Sequence, residues 1–266
     1  MIEMYHFWDS PCCFKVRMVL SEKEVKWTPK LLASVQFEHL GSEYQAINPH
    51  GIVPTLIHGG KVIFQSNVII EYLDEVFPKT SLKPETAAQR ALMRQWMQDE
   101  QTFLFPLVIT MSFNLMMTLR EKAYGMEQLQ IWSKKHPDQA RAQDYLNRVS
   151  SPIDQVALDQ AIEKFRWHME RLEKQIAVSG GPWICGKDYS LADTSIAPLL
   201  DRIEYLDLLS VLEKCPRVKE WFNKIKTRKS FLEAMPPHEY RMWGPKKPIP
   251  NKQVGPDAPH GSFPSN

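Results

Sequence analysis

Every strand signal in this chain lies before Pro78, and none recurs after Glu85. Few folds tolerate that asymmetry. Ile2 to Phe7 is a short apolar strand that runs straight into Ser10-Pro11 and a helical pattern carrying Val16, Val19 and Leu20. Glu22 to Leu32 alternates weakly around Val25 and Trp27 and predicts a second strand. Ser34 to Ile47 is mixed and polar, and predicts one irregular helix. Asn48-Pro49-His50-Gly51 has turn composition. Ile52 to Ile57, the turn His58-Gly59-Gly60, and Lys61 to Phe64 read as a β-hairpin. Gln65-Ser66-Asn67 then opens a helix with Ile69, Tyr72, Leu73 and Val76 on one face. The order β-α-β-α-β-β-α defines a small α/β unit over residues 1–78.

Lys79 to Glu85, with Pro84, reads as a linker. Residues 86–234 are helical throughout. Ala87 to Leu119 predicts a long helix bent near Pro106, followed by polar helical segments interrupted at His136-Pro137 and Ser151-Pro152. Leu158, Ile162, Phe165, Met169, Leu172 and Ile176 recur at steps of four and three, the clearest amphipathic helix in the chain. Ser190-Leu191-Ala192-Asp193 resembles a capping box, and the helix it opens is expected to bend at Pro198. Pro216 opens a last helix with Val218, Trp221, Phe222 and Ile225. Residues 235–266 are proline-rich and read as an extended arm that packs through Met242, Trp243 and Phe263.

The bulk numbers exclude several classes. Net charge is +2, and the basic clusters are short and scattered, so nucleic acid is not an expected partner. The cysteines Cys12, Cys13, Cys185 and Cys215 form no CxxC pair. That pattern fits a reducing compartment, and with the dispersed histidines it offers no metal site. Met1-Ile2-Glu3-Met4 reads as strand and lacks the basic start of a signal peptide. Gln101 to Leu119 is uncharged, but Gln101, Thr102, Pro106, Ser112 and Asn114 make it a buried helix rather than a membrane span. A cytoplasmic chain with no membrane association is the expectation.

The chemistry concentrates where the first strand meets the first helix. Ser10 is a good N-cap, and Pro11 stands where a missing N–H is harmless. A hydroxyl and the thiols of Cys12 and Cys13 therefore lie at the positive end of a helix dipole, a position that holds an anion. No histidine and acid are placed by sequence to make Ser10 a hydrolytic nucleophile.

Four stretches, in this order and spacing, resemble the cytosolic glutathione S-transferase family: Ser10-Pro11-Cys12 with Val16 and Arg17; Asn48-Pro49-His50-Gly51-Ile52-Val53-Pro54-Thr55-Leu56; Gln65 to Leu73; and Ser190 to Asp193. The active-site turn is similar to the serine-type zeta, phi and bacterial β-etherase-like classes. The resemblance implies an α/β thioredoxin-like N-terminal domain (residues 1–78) that binds glutathione. It also implies an all-α helical C-terminal domain (86–234) that supplies the second-substrate pocket, and a homodimeric assembly. On it, Ser10 is the catalytic residue, donating to the glutathione sulfur. Val53, before a cis Pro54, pairs with the cysteinyl backbone; Ser66, as helix cap, and Gln65 receive the γ-glutamyl end; His39 meets the glycyl carboxylate; Cys12 lies alongside. Trp8, Phe105, Met111 and Met116 are assigned to the second-substrate pocket. Many relatives carry an acid where Gln65 stands, and a polar residue where Ile52 stands.

The physics agrees with a thiol-activating site. Free glutathione, like cysteine, has a pKa of about 8.5, so the nucleophilic thiolate is scarce at neutral pH. A helix N-terminus and one hydroxyl donor both favour the anion. The expected activity is attack of the thiolate on a hydrophobic, aromatic electrophile, by conjugation, ether cleavage or dehalogenation, with isomerisation as a variant. Two other readings use the same residues: a non-catalytic interaction module of this fold, and a glutathione-linked thiol–disulfide reductase acting through Cys12.

Overall fold

The computed structural model describes residues 1–237 with Tyr240 and Arg241. A mixed four-stranded sheet of order β2-β1-β3-β4 occupies the first part of the chain: β1 (Ile2–His6), β2 (Thr28–Leu31), β3 (Thr55–His58) and β4 (Lys61–Phe64). β1 pairs parallel with β2 and antiparallel with β3, and β3 with β4 forms the hairpin read from the sequence. The second strand is shorter than the alternation suggested. Helix α1 (Pro11–Glu22) runs through Glu22, and Glu24 then reverses the chain at φ 54. Pro29 is accommodated because β2 is an edge strand. The segment expected as one irregular helix is two 3₁₀ turns, Ser34–Gln36 and Glu38–Leu40, and the single helical turn α2 (Ser42–Gln45). Helix α3 (Ser66–Val76) closes this half. Met4, Val16, Val19, Leu20, Leu56, Ile69, Ile70 and Leu73 form its core and are almost wholly buried.

The remaining helices are α4 (Ala87–Asp99), α5 (Phe105–Tyr124), α6 (Met126–Ser133), α7 (Gln139–Ser150), α8 (Gln155–Ser179), α9 (Leu191–Tyr205), α10 (Pro216–Lys226) and α11 (Lys229–Ala234). Every residue of α9 from Leu191 to Ile203 is buried, so it is the central helix, and it continues through Pro198. The short, polar α11 had no periodic signal. It nevertheless buries Phe231 and Ala234 against α1, with Phe14 and Phe231 rings 5.0 Å apart. No helix among the described residues is long and apolar enough to cross a membrane.

The break in the long helix falls earlier than Pro106. A π-helical turn, Glu100–Leu104, separates α4 from α5. Pro106 stands in the first turn of α5 and cannot donate back to the preceding turn. Glu100 is turned inward there and accepts from Lys15 Nζ at 2.6 Å, both side chains being about 1% exposed. Asn67 completes the group, accepting from Lys15 at 3.0 Å and donating to the Met97 carbonyl at 2.9 Å. This buried network ties α1, α3 and the π turn together. The linker is fixed as well, because Leu82 N donates to Asp74 Oδ1 at 2.7 Å and Leu191 N to the Leu82 carbonyl at 3.0 Å.

In the C-terminal arm, Tyr240 and Arg241 are the described residues after Pro237. They pack: Arg241 Nη2 donates to Asp201 Oδ1 at 2.8 Å, and the Tyr240 ring lies 6.0 Å from Trp8. Met242, Trp243 and Phe263 lie outside the described residues. Removing one partner of a largely buried ion pair is strongly destabilising, so Arg241→Ala should lower unfolding stability by about 3 kcal/mol. Urea titration reads this directly, and an unchanged midpoint would show that the arm does not hold Asp201.

Candidate active site

A cavity of about 560 Å³ lies where the sheet half meets the helical half. One wall is the strand-to-helix turn Phe7 to Pro11; another is the 3₁₀ region with Phe37 and His39; a third is Gly51-Ile52-Val53. The fourth is one face of α5, with Phe105, Ile109, Ser112, Met116, Arg120 and Tyr124 following each other at helical spacing.

Ser10 caps α1 in extended conformation, φ −84 and ψ 121, and its Oγ accepts from Cys13 N at 3.3 Å. The turn before it is held by two buried arginines. Arg17 donates to the Phe7 carbonyl at 3.3 Å, the Trp8 carbonyl at 2.8 Å and the Ala234 carbonyl at 2.9 Å, and its guanidinium lies 4.7 Å from the Trp8 ring centre. Burial lowers the Arg17 pKa to about 10, which still leaves it charged at neutral pH. Arg202 donates to the Asp9 carbonyl at 2.5 Å and pairs with its carboxylate at 3.0 Å. The turn that carries Ser10 is thus held from both halves of the protein. Arg17 was legible only as part of a motif, and Arg202 was not legible at all.

The Val53-Pro54 bond is cis, as the resemblance implied. The loop before it is built by two buried polar side chains, Asn48 and Tyr44. Asn48 Nδ2 donates to the Ile52 carbonyl and to Thr55 Oγ1, both at 2.9 Å, and Tyr44 donates to the Ile52 carbonyl at 2.6 Å. Val53 reaches the cavity; Pro54 is buried behind it.

Two assignments at α3 change. Ser66 is the first helical residue rather than the cap. Gln65 holds the cap position at φ 70 and makes no side-chain capping bond. Neither lines the cavity wall.

The Cys12 thiol is held toward its neutral form, against the lowering that a helix N-terminus suggests. Burial pushes its pKa up to about 12, and Glu100 adds to that push; Lys15 pulls it down only in part. Cys13 points into the core and is wholly buried, and burial raises its thiol too. At pH 8 a thiol of pKa about 12 is ionised in about one molecule in 10⁴. The partly covered Cys12 should therefore react slowly with a thiol-exchange dye in the native protein, and the buried Cys13, Cys185 and Cys215 should react only on unfolding. Fast stoichiometric labelling of Cys12 would overturn this.

Of the residues assigned to the second-substrate pocket, Trp8, Phe105 and Met116 line the cavity. Met111 does not. It is fully buried in the core, five residues and about 140° round the helix from Met116. His39 lines the cavity with its Nδ1 buried and unpartnered. Burial lowers its pKa to about 4, helped by His136 and Arg120, so it is neutral. No group of three or more His, Cys, Asp or Glu among the described residues is arranged for a metal ion.

Comparison with known proteins matches this geometry. The glutathione S-transferase N-terminal domain family model matches residues 9–76, and the C-terminal domain model matches residues 154–233. Together they cover more than half of the chain, which belongs to the glutathione S-transferase family. Glutathione S-transferase A of Pleuronectes platessa is 27% identical over 232 residues, covering 86% of this chain and 88% of the relative. Protein LigF of Sphingobium is 26% identical over 87% of this chain and 92% of the relative. The crystal structure of β-etherase LigF superposes with a TM-score of 0.76 at 25% identity, covering 88% of this chain and 98% of that one. A maleylacetoacetate isomerase of Dictyostelium discoideum is 36% identical over 39% of this chain and 48% of the relative.

Proposed function

We propose that this chain is a glutathione transferase in which Ser10 stabilises the glutathione thiolate for attack on a hydrophobic, aromatic electrophile. The observation that carries the reading is the single cavity whose lining includes Ser10, Val53, Trp8 and the Phe105–Met116 face of α5. Glutathione would bind along Val53 and the α3 N-terminus with its sulfur at Ser10, near His39 and Ser66. Gln65 offers an amide and no charge to the ligand's ammonium, so the γ-glutamyl end is held by hydrogen bonds. The electrophile would occupy the apolar side, against Trp8, Phe105 and Met116.

Ser10 Oγ now accepts a bond from Cys13 N, but its proton remains to donate to a sulfur anion. The α1 N-terminus adds partial positive charge. Both act on the charged form and lower the thiol pKa. The thiolate then attacks carbon; the leaving group departs as chloride, phenoxide or another anion. Conjugation, ether cleavage and dehalogenation are the same displacement with different leaving groups. The relatives named as transferase, β-etherase and isomerase are consistent with a thiolate put to several uses. We place the protein in the cytoplasm as a homodimer, with residues 1–78 as the glutathione-binding domain, 86–234 as the pocket domain and 235–266 as an arm.

The test is retention on immobilised glutathione together with a chromogenic conjugation assay using 1-chloro-2,4-dinitrobenzene. Binding with turnover supports the reading. Failure of both would leave the non-catalytic module in front, which the neutral Gln65 and the apolar Ile52 favour.

A further inference from the structure

We infer that the end of the cavity bounded by Arg120, Tyr124 and Tyr145 is a subsite for an anionic oxygen, such as a carboxylate, carried by the electrophilic substrate. This rests on the glutathione-transferase reading and names the substrate class of the same site.

The face of α5 that lines the cavity is otherwise mostly apolar (Phe105, Ile109, Phe113, Met116, Met117), and Arg120 is the charged side chain it contributes. Arg120 is about 8% exposed and lines the cavity. Its Nη1 donates to Tyr145 Oη at 3.0 Å, and its guanidinium lies 5.4 Å from the Tyr145 ring centre. Tyr145 comes from α7 and holds the arginine against the cavity from the far side. Phe37 and Tyr145 rings meet edge to face at 5.1 Å, so α7 closes over the 3₁₀ region and walls off this end. Ser112, two turns before Arg120 on the same lining face, is about 5% exposed, and its Oγ has no hydrogen-bond partner within the protein. A buried hydroxyl without a partner is unfavourable, and a polar ligand group would relieve that.

Both carboxylates on the wall have other partners. Asp9 is paired with Arg202 at 3.0 Å, and Glu38 Oε2 accepts from Ala33 N at 2.6 Å. The charge of Arg120 is felt inside the site: it lowers the Tyr124 pKa against the rise that burial causes, and it helps hold His39 neutral. A planar fork of N–H donors matches a carboxylate better than any other side chain would.

The position also suits a small aromatic body. Arg202 Nη1 donates to Met116 Sδ at 3.4 Å, and the same guanidinium grips Asp9, the neighbour of Ser10. Arg120 lies one turn further along α5, about 6 Å along the axis. A substrate with its reacting carbon at the sulfur would point its acidic group at Arg120.

The test compares 4-chloro-3-nitrobenzoate with its methyl ester. In both, a C–S bond forms at the ring carbon bearing chlorine, the C–Cl bond breaks and chloride leaves with the electron pair. The thiol proton passes to solvent. Each kcat/KM is divided by the uncatalysed rate with glutathione, which removes the difference in ring reactivity. We expect wild type to favour the benzoate. Arg120→Met should lower the benzoate-to-ester ratio about tenfold or more, and Arg120→Lys should keep part of it. A ratio at or below one in wild type, or one unchanged in Arg120→Met, overturns the subsite.

Inhibition of wild type by S-(4-carboxybenzyl)glutathione against S-benzylglutathione needs neither a variant nor turnover. The carboxylated inhibitor should bind about tenfold more tightly, and equal affinity overturns the subsite. If S-benzylglutathione does not bind and the ester does not react, the transferase reading itself falls, and the subsite with it.

Discussion

Ser10→Ala should reduce kcat/KM for conjugation about 10²- to 10³-fold, the usual consequence of removing one donor aimed at a developing or stabilised anion. Ser10 is also the N-cap of α1, and an alanine there lowers stability by about 1 kcal/mol. The two effects separate cleanly. Capping loss shows in the unfolding midpoint and leaves the folded enzyme's pH profile alone. Loss of the sulfur donor moves the acid limb of the kcat/KM profile to higher pH, because activity rises with pH through the bound thiol's pKa and that pKa is no longer lowered. Ser10→Thr keeps the hydroxyl and should restore much of the rate. Full activity in Ser10→Ala at neutral pH would remove Ser10 from the catalytic role. Loss of activity confined to Cys12→Ser would revive the thiol–disulfide reading, against the raised thiol pKa there.

Asp193→Ala should be the most destabilising single substitution at a polar position, by about 4 kcal/mol. Asp193 is wholly buried at the start of α9. Its carboxylate accepts from Ile184 N at 3.0 Å, Ser190 N at 2.9 Å, Ser190 Oγ at 2.8 Å and Trp221 Nε1 at 2.8 Å. One side chain joins the loop before α9, the α9 N-terminus and α10. Removing it strands four buried donors, each unfavourable by about 1–3 kcal/mol when unpaired, with partial relief from water entering the cavity. Asp193→Asn keeps one acceptor oxygen and should lose about half as much. Guanidinium titration with matched slopes measures both, and a loss under about 1 kcal/mol for Asp193→Ala would show that the joint is not structural.

The sequence was readable wherever a single element decides the outcome. Ser10 and Pro11 define the start of α1 by local capping chemistry, and that start is where α1 begins. The periodicity of Leu158 to Ile176 belongs to one helix, and all three of α8's strongest anchors, Phe165, Met169 and Leu172, are fully buried. Reading failed where a distant residue decides. The π turn at Glu100–Leu104 is stabilised by Lys15, 85 positions away. Met111 and Met116 look alike in the sequence, but which one faces the cavity depends on how α5 is rotated against its neighbours. Arg120, Tyr124 and Tyr145 become one group only when α7 folds over the 3₁₀ region. Arg202 reaches the active-site turn from 193 positions downstream. Cys12 and Ser66 were misread for a related reason. Helix-terminus rules assume access to the dipole, whereas Cys12 is desolvated against α3 and Gln65 takes the cap position.

In the proposed mechanism, the Ser10 turn lowers the pKa of a bound glutathione thiol. Ultraviolet difference absorbance of the thiolate, followed against pH for glutathione bound to wild type and to Ser10→Ala, measures that quantity without any electrophile. The expected result is a bound thiol titrating at least one unit below the free value of about 8.5 in wild type, and returning toward it in Ser10→Ala. A bound thiol that titrates at the free value in wild type would contradict the account.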